Sequence, residues 1–499
     1  MRIFILAFCF LFFTNSGISQ TRDLENMAEG DMVFADILYD SQSKLYGYIY
    51  FFDQGDVDSK NRQYEYILLD RNLNKVANGT FTERNIAKAQ VLFDGSTLIS
   101  ENEILFSKVV RIKYISMLTF NRIISLKEKT VSDPFYFEDG GFKDLDLYSG
   151  AEIHEKFKET EAYTAAVPIN YQKTHGFFIV EKYKHKQNFN EKSLKLYDRN
   201  RNQIWNYDYN PNGSKKNWKE FSILTINDGM MLGGLSYKTN SKYTDKYSIV
   251  GIDVETGKQL FEYPFEDEKS EFSHTLFIKN YGDKIYIMGN YSPYNKNDFN
   301  WEKNLGIYRM ELDATGKEIS KKYYPWNEFT GDLETNKYGK AEKGFYLTPM
   351  RYFIFKDGSF SHLTEKFKDA TTLGYGTIKS TDFVLFNFDK EGKLTGKNLI
   401  EKDQSKAVKN DFLFHQYIKE NSGVVFFFRD YKKDDETRDK NWILGINTIL
   451  DGNFKEEVIP LSSDDFFIQP IPAKEGYILL REYNKKSEFD QLRLERLNY

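Results

Sequence analysis

Cysteine is all but missing from this sequence. There is one in 499 residues, Cys9, and it lies inside the apolar run IFILAFCFLFF from Ile3 to Phe13. A mature chain that has lost this run has no cysteine, which excludes disulfides, thiol catalysis and cysteine-based metal sites. Histidine is scarce too: His154, His175, His185, His274, His362 and His415 are scattered, with no pair at metal-ligand spacing. There is no glycine-rich phosphate loop and no nucleophile-elbow serine, so no motif implies a cofactor or a resident metal. Proline is held to 10 residues. The formal net charge of −5 is finely mixed, with Lys182-Tyr183-Lys184-His185-Lys186 close to acidic stretches, so no basic face for nucleic acid is expected. After the first run, no apolar stretch reaches membrane-spanning length.

What is present starts at the N-terminus. Met1-Arg2 is a short basic start, and TNSGISQT, with Gly17 and Ser19, follows the apolar run. About 11 apolar residues are too few to span ~30 Å of hydrocarbon. The pattern is that of a cleaved secretory signal over residues 1–19, which places the mature chain, 20–499, in the periplasm or outside the cell. Aromatics make up 17% of the chain and apolar residues 40%, ample for a core without disulfides.

The mature chain repeats itself. YSIVGIDVETGKQLFEY (Tyr247 to Tyr263) returns as LGIYRMELDATGKEISKKY (Leu305 to Tyr323). Fuller copies run from Leu45 to Phe81, Thr174 to Trp205, Asn227 to Phe261, Tyr281 to Ile319 and Asn421 to Val458; weaker ones lie near Ser100 to Leu126 and Lys343 to Gly396. Each fuller copy has a Gly turn, an apolar strand, a Tyr (Phe52 in the Leu45 to Phe81 copy), a polar loop, a second strand, an Asp turn and a third strand. IYIMG and VVFFF are apolar throughout and predict strands buried on both faces. YRMEL alternates and predicts a half-buried one.

Unit starts fall near Gly47, Glu101, Gly176, Gly229, Gly282, Gly344, Gly423 and Gly476. Short antiparallel sheets at this spacing predict an all-β fold, a single β-propeller of about eight blades, with seven as the alternative count. Two or three separate β-sandwiches are the competing fold. The C-terminal copy, Glu475 to Asn498, has only its first strands, so an N-terminal strand, Asp31 to Asp40, is expected to complete the last blade and leave no open edge.

The signal ending in SQ, together with GYIYFF, ILLDRNLNKV and IYRMELDATGKEISKKYYPW, resembles an uncharacterised family of secreted, propeller-like proteins of Bacteroidetes bacteria. The Tyr197-Asp198 to Trp205 spacing and the Gly233-Gly234 doublet are also similar to kelch repeats. Neither resemblance implies an active-site motif.

The recurrent Asp70, Asp198, Asp253, Asp313, Asp389 and Asp451 sit between strands, where Asp hydrogen-bonds its own turn. Asp53, Asp56 and Asp58 form an acidic loop without the spacing of a calcium loop, and Asp434-Asp435-Glu436 is bracketed by basic residues; both are expected to be solvated. The recurring feature with functional promise is the loop after the first strand of each unit. It opens at Tyr183, Tyr237, Tyr291, Tyr431 and Tyr483, and in one copy adds Tyr294 and Trp301. In a propeller all these loops share one face, and Tyr and Trp suit recognition of proteins or sugars. The expected function is a monomeric binding or scaffold module whose loop face takes a protein or a glycan. A propeller hydrolase acting on glycans or other polymers is the alternative, since two carboxylates suffice for such chemistry.

Overall fold

Eight antiparallel sheets succeed one another along the chain and close into a ring. The computed structural model describes residues 20–24, 26–40, 43–86, 89–112, 116–138, 141–144, 151, 176–180, 192–214, 216–227, 229–240, 242–294, 303–372, 375–403, 411–433, 440–461, 467–484 and 489–498. Blade 1 comprises Asp31–Tyr39, Leu45–Asp56, Asn61–Asp70 and Lys75–Arg84. Blade 2 comprises Ala89–Ser100, Glu103–Ile112, Ser116–Ser125, Phe135–Glu138 and Gly141–Asp144, with Thr130–Val131 beside its third strand. Blade 3 shows three strands among the described residues, Gly176–Val180, Ser193–Asp198 and Gln203–Asp208. Blade 4 is built from Asn217–Asn227, Met230–Thr239, Lys242–Asp253 and Gln259–Glu266. In blade 5 the first strand is split into Phe272–His274 and Phe277–Tyr281, followed by Lys284–Pro293, Gly306–Asp313 and Glu318–Pro325. Blade 6 comprises Tyr346–Ile354, Phe360–Thr372, Tyr375–Phe388 and Leu394–Ile400; blade 7 comprises Phe412–Ile418, Gly423–Lys433, Lys440–Leu450 and Asn453–Pro460. Blade 8 has Phe467–Pro472, Tyr477–Asn484 and Phe489–Arg496, and takes Gln20–Asp23 as its outermost strand.

The closing strand is not the expected one. Asp31–Tyr39 is the first strand of blade 1 and pairs with Leu45–Asp56. Closure falls to the four residues before it, in register Gln20↔Leu494 to Asp23↔Gln491. Leu24, 1% exposed, then buries its side chain among Tyr48, Leu69, Leu479 and Leu494, between blades 8 and 1. Every other pair of neighbouring blades shares an apolar cluster of the same kind. A chain without disulfides thus relies on interblade burial.

The fully apolar runs are the second strands, not the innermost ones. Ile285 to Met288 and Val424 to Phe428 are at most 3% exposed, sandwiched between neighbouring blades. The first strands line the central channel: Lys279 of blade 5 reaches across blade 6 to the Tyr417 ring of blade 7, with Nζ 3.2 Å from its centroid. The unit start expected at Gly344 opens the first strand of blade 6, and its second strand begins at Phe360. The alternating strand Gly306–Asp313 is buried on both faces. Its polar side is closed by an Arg309–Glu311 contact at 3.4 Å and by Arg309 donating to the Lys390 carbonyl of blade 6 at 2.8 Å.

Five of the six Asp turns behave as expected; Asp451 accepts no such bond among the described residues and instead turns in the left-handed region, at φ +51°, beside Gly452 at φ +74°. Asp70, Asp198, Asp253, Asp313 and Asp389 each accept a backbone N–H of their own hairpin at 2.7–2.8 Å. The glycine doublet has a packing cause: a Cβ on Gly233 would sit 2.3 Å from the Phe221 ring, and one on Gly234 1.9 Å from the Tyr247 hydroxyl.

Candidate functional site

In a four-stranded meander the 1–2 and 3–4 turns leave one face of the ring. The 2–3 loops and the blade-to-blade connections leave the other, called the loop face below. Between blades 1 and 2 this face opens into a cleft of about 500 Å³, within the range of ligand pockets. Its wall carries Val33 and Leu92, each 45% exposed, together with Tyr64 and Phe93. At one side Arg62 Nε donates to both oxygens of Asp53, at 2.6 and 2.7 Å, which fixes the guanidinium beside the opening. Deeper lies Glu83, 5% exposed, shared between Lys108 Nζ and Arg122 NH1, the latter at 2.8 Å. Arg122 also donates to the carbonyls of Thr82 and Ser132, and burial holds the Lys108 ammonium below its ordinary pKa. One carboxylate thus faces two buried cations at the cleft floor. The acidic loop acts locally: Asp53 is taken by Arg62, and Asp58 accepts the Lys60 N–H and the Asn61 amide.

The loop-face aromatics divide by burial. Tyr291 is 4% exposed and packs edge-on against Phe272 and Tyr323, and Tyr431 is 5% exposed beside Trp442; both rings belong to the core. Tyr237 is half-buried and donates to Glu262 at 2.6 Å; burial first, and then that carboxylate, pushes its pKa up to about 12. Tyr294 reaches from the blade 5 loop to Asp245 of blade 4, and this bond pushes its hydroxyl up to about 12. Tyr483 is half-buried, 5.8 Å from the ring of Phe467. Tyr183 and Trp301 lie outside the described residues, as do Asp434, Asp435 and Glu436.

Two exposed rings on the loop face escaped the sequence reading. Tyr243, 65% exposed, starts the third strand of blade 4, donates to Glu220 at 2.6 Å and stacks on Lys238, whose Nζ is 4.0 Å from its centroid. Phe467, 64% exposed, starts the first strand of blade 8. Their signal was position on a strand's loop-face end, not position after the apolar strand.

Two buried polar clusters also sit at blade-to-blade connections. His274 Nδ1 meets Glu266 Oε1 at 2.7 Å, and its Nε2 meets the Tyr323 hydroxyl at 3.0 Å, a carboxylate–imidazole–phenol chain. Burial pushes Tyr323 up to about 12. Lys402 Nζ lies 2.5 Å from Glu365 and 2.8 Å from Asp411 with its side chain fully buried. Burial holds the Glu365 carboxyl above its ordinary range. Among the described residues no group of three or more His, Cys, Asp or Glu is placed to hold a metal, and no helix is long and apolar enough to cross a membrane.

Solved structures with a similar arrangement include a prolyl endopeptidase, at 8% identity and TM-score 0.38, over 90% of this chain and 54% of that one. The chain thus spans about half the length of that protein. A europium-containing methanol dehydrogenase matches at 9% identity and TM-score 0.38 over 96% of this chain and 94% of its own. The β-propeller domain of the Trilobed protease from Pyrococcus furiosus matches at 11% identity and TM-score 0.32 over 85% and 98%. No curated protein matches the chain. The model of one family matches residues 1–413, and the chain accordingly belongs to DUF6770, a family of unknown function.

Proposed function

We propose that this chain is a secreted or periplasmic binding or scaffold module, and that its loop face takes a protein or glycan partner. The observation that carries the reading is the cleft between blades 1 and 2. It combines exposed apolar side chains, Val33 and Leu92, with an Arg62 guanidinium held at its edge by the Nε–Asp53 contact. Apolar walls with a few oriented polar groups are the usual composition of a recognition site. Tyr237, Tyr243, Tyr294 and Tyr483 extend the same face, their hydroxyls or rings held by acidic or cationic neighbours and so ordered before any partner arrives.

The test is a glycan array and an envelope pull-down with the mature chain and an Arg62→Ala variant. A partner retained by the wild type and lost by the variant supports the reading. A partner held equally by both places recognition away from the cleft.

A propeller hydrolase is the second reading, favoured by the Glu266–His274–Tyr323 chain, whose spacing suits proton transfer. Release of reducing sugar from a polysaccharide panel, abolished by His274→Gln, would establish it.

A further inference from the structure

The central channel carries cations on one side without acids to match them. The first strands of blades 5 to 8 read FSH and FIKNY, YLTPMRYFI, FLFHQYI and FIQPIP, with no Asp or Glu among them. They supply Lys279, Arg351 and His415. First-strand acids belong elsewhere on the described ring: Asp31 and Asp36 on blade 1, Asp94 on blade 2 and Glu220 on blade 4. Asp36 is engaged by the Ser96 hydroxyl and N–H at 2.9 and 2.7 Å, and Glu220 by Lys238 and Tyr243.

Lys279 is the centre of this cationic wall. Its Nζ lies 3.2 Å from the Tyr417 ring centroid and 4.9 Å from that of Tyr281. The hydroxyls of both rings are tied to the backbone of Ile354: Tyr281 donates to its carbonyl at 2.8 Å, and its N–H donates to Tyr417 at 3.2 Å. Among the described residues Lys279 has no hydrogen bond and no ion pair. Burial pushes it down to about 7, and His415 is held near about 4 by burial and then by Lys279 and Arg351. Arg351 stands over Phe412, 4.6 Å from its centroid, and among the described residues its side chain donates to the carbonyl of Met350 beside it, at 2.8 Å. The His415 ring lies 5.4 Å from that of Tyr417 and 5.3 Å from that of Phe353.

An ammonium withdrawn from water with no counter-charge is unfavourable, and a second cation beside it adds to the cost. Aromatic faces offset only part of this. An anion held among the three groups would make the arrangement favourable. We propose that Lys279, Arg351 and His415 form a binding site for a small oxyanion, a carboxylate or phosphate group, on the channel wall of blades 5 to 7. Arg351 supplies a planar fork, Lys279 a point charge, and His415 a neutral ring nitrogen able to donate. This site is independent of the cleft on blades 1 and 2.

The experiment is thermal unfolding of the mature chain near pH 7 in sodium phosphate and in sodium acetate, each against sodium chloride at equal ionic strength. The expected result is a saturating rise in Tm with at least one of the two oxyanions and none with chloride. Saturation with both assigns a shared oxyanion site, and with one it names the source. Lys279→Met removes a half-buried charge that has no ion pair among the described residues, so it should fold about as well as the wild type and lose the effect. Arg351→Met should weaken it about tenfold or more, the scale of one charge-assisted hydrogen bond. If Lys279→Met does not fold, Arg351→Met carries the test. A wild type indifferent to both anions, or variants that keep the wild-type response, overturns the proposal.

Discussion

Replacing Glu83 with Gln removes the one carboxylate between two buried cations. In the wild type the Glu83–Lys108–Arg122 cluster carries a net charge of one, and every side chain in it is at most 9% exposed. The amide keeps the shape but not the charge, so Lys108 and Arg122 are left facing each other across a neutral group. Breaking a buried pair in this way costs about 3–5 kcal/mol. Arg122 keeps its bonds to the Thr82 and Ser132 carbonyls, so the loss should fall mainly on Lys108. Burial already lowers the pKa of Lys108, and Glu83 is the group that opposes this. Without it the folded-state pKa drops further below the unfolded value, and the folded variant binds fewer protons than the unfolded chain over that interval. Stability of the variant should therefore rise with pH until the unfolded lysine titrates. Hydrogen exchange in Glu103–Ile112 and Ser116–Ser125 reads the effect locally. Opening should be roughly a hundredfold or more easier at pH 7, with a smaller gap at pH 9. Glu83→Gln with Lys108→Met should recover most of the loss. Single and double variants both within about 0.5 kcal/mol of wild type would refute the reasoning.

Other expectations follow from the same packing. Tyr291→Ala should destabilise by about 3–5 kcal/mol, because its ring is core, whereas Tyr243→Ala should stay within about 0.5 kcal/mol; urea unfolding of both variants checks the division. Leu24→Ala should cost about 2–5 kcal/mol and speed exchange in Phe489–Arg496, leaving blade 4 as it was. The Asp253 carboxyl is held below its ordinary value, chiefly by the Thr256 hydroxyl. Its contribution is complete above the unfolded pKa and is lost below about pH 4, so the 253–258 hairpin should loosen in acid, and Asp253→Asn should flatten that dependence. Mass spectrometry of the native protein should find a start near Gln20; retention of Met1 would contradict export with cleavage.

The parts legible in the sequence were those with a strong local cause. Runs such as Ile285 to Met288 must be buried on both faces, and Asp253 with Gly257 at φ +70° must turn, so the repeat and the blade count followed. The closing strand did not follow, because QTRD has four residues and no apolar pattern. It is specified by Leu24 after it and by the open edge of Phe489–Arg496. First strands were obscured by the channel, which leaves them half-exposed: Asp31–Tyr39 alternates weakly and reads as peripheral. Tyr291 and Tyr243 differ not in type but in whether Phe272 and Tyr323 cover the ring, which only the assembled blade decides. Lys279, Arg351 and His415 follow one another at intervals of 72 and 64 residues in sequence and meet only through the ring.

The absence of cysteine from residues 20–499 makes ring closure directly measurable. Leu24 N–H donates to the Asp490 carbonyl at 2.9 Å. The alternation of an antiparallel ladder then makes Thr21 and Arg493 a non-hydrogen-bonded pair, with Cα atoms about 4.5 Å apart, within disulfide reach. In the mature chain carrying Thr21→Cys and Arg493→Cys, oxidation should give one intramolecular disulfide, no titratable thiol in the native state and a higher Tm that reductant reverses. Two freely titratable thiols in the folded protein would mean that the N-terminal strand does not close the eight-bladed ring.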